Sequence, residues 1–346
     1  MSKTTPLSET VTIRRGICTA GNMIADTMYR VPQYPARGEL TTIQGAPWQT
    51  VGGLACNTAL SLAMLDSSLP ITVCGRIGDD PNGERVLRHF GQHPNIDTAQ
   101  VIADGETAYT LIIQDTGSGE RTFFTSPGSG RDFDVDDVNL AQINARIFHA
   151  GYILLLDALD REDGEYGTRM ARLLAQARQQ GMKTSIDVVS EAGDRHRRLV
   201  PPALRHTDYC IINEYEAQQV TGISLRADGR LMPDSLPAVL KALRSHGVAI
   251  WPVIHYPEGA CGLDETDAFV SLPSLKLPEG YIHSTTGAGD AFCAGVLYGA
   301  HEGWALIDAL RLGTASAACS LGGQDTSSAI KTAPEALAFY RDMGGE

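Results

Sequence analysis

The sequence predicts an α/β fold, a mainly parallel central sheet flanked by helices, with a small antiparallel β lid. Three observations lead there. Apolar strand-like runs alternate with helical stretches along most of the chain, the pattern of parallel strands joined by crossover helices. Two stretches break the alternation with β-type residues and no helix. A glycine-rich turn runs straight into an apolar helix near residue 290.

In chain order, 16–21 reads as a buried strand and 56–65 as a helix of small and apolar residues. Residues 71–76 follow as a strand and 83–90 as an amphipathic helix. An apolar run at 145–155 precedes a helix at 167–180 and a strand at 184–189. A short strand at 210–212 feeds a helix near 215–220, and a helix at 236–246 precedes a strand at 248–255. Two helices, 290–301 and 304–321, close the pattern. The lid is assembled from 27–51, which has strand-like pieces and prolines, and 105–127. The latter holds a hairpin, 108–114 and 121–126, around Asp115-Thr-Gly-Ser-Gly119. The plainer alternative is two decorated surface loops. The folded unit is expected to span 12–335, with 1–11 and 336–346 as tails.

At 346 residues and 43% hydrophobic content the chain has enough apolar material for a large core. No apolar run is long enough for a membrane helix, and the polar first twelve residues lack a secretory core, so a cytoplasmic protein is expected. A formal charge of −13 argues against nucleic acid or an anionic membrane as partner. Small anions remain open, because backbone amides bind them whatever the net charge. The seven cysteines are scattered and contain no Cys-x-x-Cys, as expected of reduced, buried thiols. His149, beside an apolar strand, reads as a core or pocket residue, and Arg195-His-Arg-Arg198 as a solvated face. A phosphate-binding role for that run, on a phosphosugar substrate, is the sharper alternative. The P-loop signature, the dinucleotide fingerprint, the zinc-protease helix and the nucleophile elbow do not occur.

The most specific segment is Thr285-Thr-Gly-Ala-Gly-Asp-Ala-Phe292. Helix N-termini present free N–H groups and partial positive charge, and glycines let an anion approach closely. Asp290 in the first turn then lies beside the anion, where it can take a proton from a hydroxyl. Read structurally, the same segment is a glycine turn with an aspartate cap. Asn213-Glu-Tyr-Glu216 at a strand-to-helix junction is likewise a capping box on its own terms. Asp26 on its own is a polar residue at a strand end, and Asn57 a residue at a helix start.

Five elements in order resemble the ribokinase family of PfkB carbohydrate kinases, over about residues 14–330. They are Gly21-Asn-Met-Ile-Ala-Asp26, Val51-Gly-Gly-Leu-Ala-Cys-Asn57, Gly78-Asp-Asp80 with Gly83, Asn213-Glu-Tyr-Glu216 and Gly287-Ala-Gly-Asp290. The resemblance implies a ribokinase-like three-layer sandwich and transfer of a phosphoryl group from ATP to a primary alcohol of a sugar. It makes Asp290 the base, and Gly287, Ala288 and Gly289 the anion hole. Asp26, Gly52, Gly53 and Asn57 are expected at the sugar. Asn213, Glu216, Asp187, Gly259, Thr286 and Gly323 are expected near the nucleotide, with Glu216 holding Mg2+ through water. Gly322-Gly-Gln324 resembles the family's closing loop.

The chain departs from the pattern at two places. Ser284 replaces an aspartate that contributes to a monovalent-cation site in many members, which puts potassium activation in doubt. Tyr256 replaces the first glycine of the nucleotide loop, where it either closes over the base or obstructs it. A nucleoside kinase is the alternative within the family, with Tyr29, Tyr34, Trp48 and Tyr109 as aromatic clamps. A catalytically weak, ligand-sensing relative is the alternative outside enzymes. Exposed lid strands are expected to pair two copies into a homodimer.

Overall fold

The computed structural model describes residues 14–323 and 325–345; the polar opening stretch and Gln324 lie outside them. The strands are β1 Ile17–Gly21, β2 Ile24–Val31, β3 Trp48–Gly52, β4 Ile71–Ile77, β5 Ile96–Ala103, β6 Ala108–Asp115 and β7 Arg121–Ser126. They continue as β8 Ile147–Ile153, β9 Lys183–Val188, β10 Tyr209–Asn213, β11 Trp251–Tyr256, β12 Gly259–Leu263 and β13 Phe269–Pro273. The helices are α1 Leu54–Leu65, α2 Pro81–Phe90, α3 Arg169–Gln179, α4 Arg195–Leu204, α5 Glu214–Thr221, α6 Leu236–Ser245, α7 Ala288–Glu302, α8 Leu306–Leu321 and α9 Ala333–Asp342.

Nine strands make the large sheet in the order β13-β12-β11-β10-β9-β8-β1-β4-β5. It is parallel from β11 to β5, and β12 and β13 add antiparallel strands at one edge. Helices α1, α2, α7, α8 and α9 bury one face, and α3 to α6 the other. This is the expected mainly parallel, three-layer sandwich. The strand order reverses beside β1, and a crevice opens there at the carboxyl ends of the strands. Helix α1 is buried on nearly every side, which its small and apolar residues permit. At the α7–α8 crossing, a Cβ on Gly295 would stand 2.7 Å from the Gly313 Cα, so only glycine allows that approach.

Four strands, in the order β3-β2-β6-β7, make the lid. Its two flanking pairs are antiparallel, and β2 runs parallel to β6 from Ile24–Ala108 to Val31–Asp115. The lid begins at Ile24, so Asp26 is one of its residues. Side chains alternate across a sheet, and the register puts Asp26, Thr50, Trp48, Thr110, Gln114, Phe123 and Arg121 on one face. Tyr29, Tyr109, Leu111 and Phe124 lie on the other.

The stretch from 336 is not a tail. A capping box between Thr332 and Glu335 starts α9, and its apolar spacing buries Ala336 and Tyr340. Sequence patterning also passed over β5, α4, β12 and β13. In α4 the run Arg195-His-Arg-Arg198 and two interior prolines mask the helix. Its arginines pair outward with Glu191, Asp160 and Glu162 while His196 is buried. His149 is a core residue, hydrogen-bonded to Ser185.

The lid is tied down by Asp80. Its Oδ1 caps α2 through the Gly83 N–H at 2.8 Å and accepts the Thr107 hydroxyl at 2.6 Å, while Oδ2 accepts the Thr107 N–H at 2.8 Å. The Thr107 hydroxyl in turn accepts from the Gly78 N–H. Thus the Gly78-Asp79-Asp80 element anchors the strand that leads into β6. Asp80→Ala removes a cap and orphans a buried N–H, and is expected to cost about 1–2 kcal/mol in urea unfolding. Amide exchange in β6 should accelerate with it; an unchanged midpoint would mean the anchor is not there.

Candidate active site

Asp290 sits in the first turn of α7, after Gly287 in the left-handed region at φ 80°. A Cβ on Gly287 would stand 2.5 Å from Thr326 Cβ, so conformation and space both require glycine. The turn therefore passes tightly under Thr326 and presents the first N–H groups of α7 beside the Asp290 carboxylate.

That carboxylate is buried and held at both oxygens. Asn57 Nδ2 donates to Oδ2 at 2.8 Å, and the Tyr152 hydroxyl donates to Oδ1 at 2.5 Å. Burial pushes Asp290 up to about 6, and these two donors pull it back. Asn57 lies within α1, beyond the Gly53 cap, so it is not a helix-start residue. Its Oδ1 accepts from Thr326, so both ends of the amide are engaged within the protein. Burial and the nearby Asp290 and Asp187 charges keep the Tyr152 phenol neutral. Asn22 fixes that segment, accepting the Tyr152 N–H at 2.8 Å and donating to Leu155 O at 3.1 Å.

Asp26 faces the crevice from the lid, where burial raises it to about 6 against the pull of the Thr110 hydroxyl. A Cβ on Gly52 would lie 2.3 Å from Asp26 Oδ2. Gly53 has φ 83°, and its neighbour Ala55 donates to Asn22 O. Asp26, Gly52, Gly53, Asn57 and Asp290 thus converge from three separate stretches of the chain.

Asn213 and Glu216 do form a capping box. Glu216 Oε1 also accepts from Asn213 Nδ2 and Ser190, both at 2.7 Å. Burial raises Glu216 to about 7 despite these bonds, with Asp290 pushing further. Asp187, at the end of β9, is raised well above the usual range by burial, then by Glu216 and Asp290. Three carboxylates therefore share one crevice, and among the described residues none of them forms a salt bridge.

A cavity of about 560 Å³ opens beside them. Leu275, Leu277, Ile282, Phe292 and Leu321 line its apolar wall, while Asn213, Thr285, Ala288 and Gly289 lie at its polar end. Gly259 is in its rim, and Tyr256 lines the wall with its hydroxyl turned to Cys261, so the tyrosine does not fill it. Gly323 lies in the loop after α8, packed on Ala329. Thr286 is exposed and accepts from Arg121 of the lid.

Sequence reasoning missed Tyr152, Thr326, Ser190 and Arg121. Tyr152 left a usable signal, a phenol inside an apolar run, because a buried hydroxyl needs a partner. The others are contacts between distant segments without any motif.

A family model described as "pfkB family carbohydrate kinase" matches residues 15–333. A ribokinase from Haemophilus influenzae is 27% identical over 94% of this chain and 99% of its own length. A 1-phosphofructokinase from Rhodobacter capsulatus is 25% identical over 78% of this chain and 79% of its own. The structure of Arabidopsis thaliana ribokinase complexed with ribose and ATP superposes with a TM-score of 0.76 at 16% identity, covering 96% of this chain and 100% of that one.

Gly287→Ala places a Cβ in the left-handed region and against Thr326. Strain of about 1–2 kcal/mol is expected before the clash is counted, read as a lowered melting temperature. Wild-type stability would remove the constraint argued for this turn.

Proposed function

The chain belongs to the pfkB family of carbohydrate kinases, and from that premise we propose that it transfers the γ-phosphoryl group of ATP to a primary hydroxyl of a sugar or sugar derivative. The observation that carries this reading is Asp290, buried at the amino end of α7 with both oxygens oriented. On one side lies the lid face bearing Asp26; on the other, the apolar-walled cavity suits a nucleotide base.

In this reading the acceptor O–H gives its proton to Asp290 as its oxygen bonds to phosphorus. The bond from phosphorus to the ADP oxygen breaks, and ADP leaves with that electron pair. A carboxylate near 6 is ionised at neutral pH and ready to accept. Such transfer needs positioning and charge neutralisation more than covalent help, and the N–H groups at Gly287, Ala288 and Gly289 supply the latter. Asp26, with Gly52 and Gly53, holds the acceptor hydroxyls. Asn57 and Tyr152 orient the base. The lid keeps water from the phosphoryl group.

Mg2+ fits the donor set. Asp187 and Glu216 are carboxylates crowded together by burial, a placement that a bound cation relieves. Magnesium keeps several waters and takes few direct protein ligands. Asp187, Glu216 and Asn213 would hold it, and it would neutralise phosphate charge there. All seven thiols are buried and free, consistent with a cytoplasmic setting.

A nucleoside acceptor is the second reading. Trp48 and Phe123 share the Asp26 face and offer a base clamp, whereas Tyr29 and Tyr109 face away.

An ADP-release screen with ATP and Mg2+ over sugars, phosphosugars and nucleosides tests both. Turnover of one acceptor is expected, and Asp290→Asn should lower it by about 10²-fold or more. Undiminished turnover in that variant would sink the base assignment; ligand binding without turnover would favour a sensor. The acid limb of kcat/KM should lie near pH 6, because below it Asp290 is protonated and cannot accept. Tyr152→Phe removes a donor that favours the charged form, so the limb should move to higher pH.

The outer lid face carries Leu111, Phe124 and Tyr109, all exposed, and its edge strands have unpaired backbone. We therefore propose a homodimer joined through the lids. Light scattering at micromolar concentration should return twice the chain mass, and Phe124→Asp should halve it; a monomeric wild type ends the proposal.

A further inference from the structure

The segment before the anion-binding turn is stitched to the loop after α8 by N–H donors. The His283 N–H donates to Leu321 O at 2.8 Å. His283 Nδ1 lies 2.8 Å from Gly322 O, an acceptor only, so that nitrogen carries the proton. Ser284 Oγ accepts the Thr286 N–H at 3.2 Å and Arg121 Nη1 at 3.3 Å. A hydroxyl oxygen has two acceptor positions, and both are taken. Ser284 is buried, with 6% of its surface exposed, and uncharged.

The family resemblance implies an aspartate at this place and a monovalent cation beside it. The residues present do not fit that ion. Such a cation needs oxygens with lone pairs to spare, as hard cations do generally. Here both acceptor positions of Ser284 Oγ are taken, Leu321 O accepts from the His283 and Ser284 N–H groups, and Gly322 O, which accepts from His283, keeps one lone pair. The side chain hydrogen-bonded to Ser284 Oγ is itself a cation. Arg121 lies on β7 and, by register with Gln114, on the same lid face as Asp26. Its Nη1 bridges the hydroxyls of Ser284 and Thr286. Among the described residues no carboxylate forms an ion pair with it, and Nε and Nη2 make no hydrogen bond.

We propose that this chain works without an added monovalent cation, because Arg121 supplies a fixed positive charge beside the anion-binding turn. The charge is carried by the lid, so it reaches the turn together with the strands that cover the acceptor. A guanidinium stays protonated at any working pH and presents a fork that matches phosphate oxygens. Nε and Nη2 are available for that contact while Nη1 holds the loop. The inference rests on the kinase reading, and makes Arg121 a catalytic residue within it.

The test uses the full chain in choline, sodium and potassium chloride at equal ionic strength. Binding of a non-hydrolysable Mg·ATP analogue by calorimetry is measured beside turnover. Affinity and kcat should agree within about twofold across the three salts. Arg121→Met should lower kcat by about 10²-fold, the usual loss for one donor to a developing anion. Guanidinium ion should restore part of that loss while potassium does not. Arg121→Met combined with Ser284→Asp restores a carboxylate and removes the fixed charge, so potassium should then activate. Potassium activation of the wild type by tenfold or more, or an Arg121→Met enzyme with wild-type kcat, would overturn the proposal. Salt-independent nucleotide binding without turnover of any acceptor would count against the kinase reading, and with it against Arg121 as a catalytic residue. Potassium-dependent binding would count against this proposal alone.

Discussion

A carboxylate buried beside two others is the constraint around which this molecule is arranged. As the proposed base, Asp290 would have to stay ionised with little water around it, and burial alone opposes that. Two neutral donors and the amino end of α7 offset the penalty. Each donor comes from a different part of the sheet sandwich. Asn57 depends on α1 lying flat against β1, and Tyr152 depends on the exit of β8 being fixed by Asn22. Thr326, from the loop after α8, sets the Asn57 amide so that its nitrogen points to Asp290. The close α7–α8 packing at Gly295 and Gly313 is part of the same arrangement, because it fixes where α7 begins.

The lid follows from a different physical rule. Its two halves are separated by α1, β4, α2 and β5, yet β2 and β6 pair in parallel over eight residues. A parallel pair requires a long crossover, and here that crossover is part of the main domain itself. The lid is therefore built from strands rooted in the large sheet's own connections, at Asn22 on one side and at Thr107 on the other. Asp80 secures the second root with two hydrogen bonds from Thr107 while also capping a helix with a third. A single carboxylate thus links the helix layer to the lid.

What the sequence made legible was local. The turn at Gly287, the glycine pair at Gly52 and Gly53, and the Asn213–Glu216 box each put their chemistry within a few residues, so spacing alone exposes them. The box is a cap, as its spacing said, and its second life beside Asp187 comes from burial, which spacing does not encode. Most of the parallel sheet was readable because buried strands and amphipathic helices alternate. Strand β12, rich in glycine and cysteine, and helix α4, interrupted by Pro201 and Pro202, gave no such signal. Arg121, Tyr152 and Thr326 were invisible for a stronger reason. Each acts on a residue more than a hundred positions away, and only the topology brings them together.

Three buried carboxylates and a net charge of −13 would oppose the approach of the nucleotide proposed above. The answer in this chain is positional and not compositional. Backbone N–H groups at the start of α7 carry partial positive charge at no cost in net charge. Burial and the neighbouring carboxylates raise Asp187 and Glu216 toward protonation, and a bound cation would oppose that. The guanidinium of Arg121 comes from the lid, and its partners are hydroxyls that leave its charge uncancelled. Positive groups therefore run from Arg121 on the lid through Thr286 to the amino end of α7. In the proposed transfer to an alcohol, the strands that exclude water would also carry the neutralising charge.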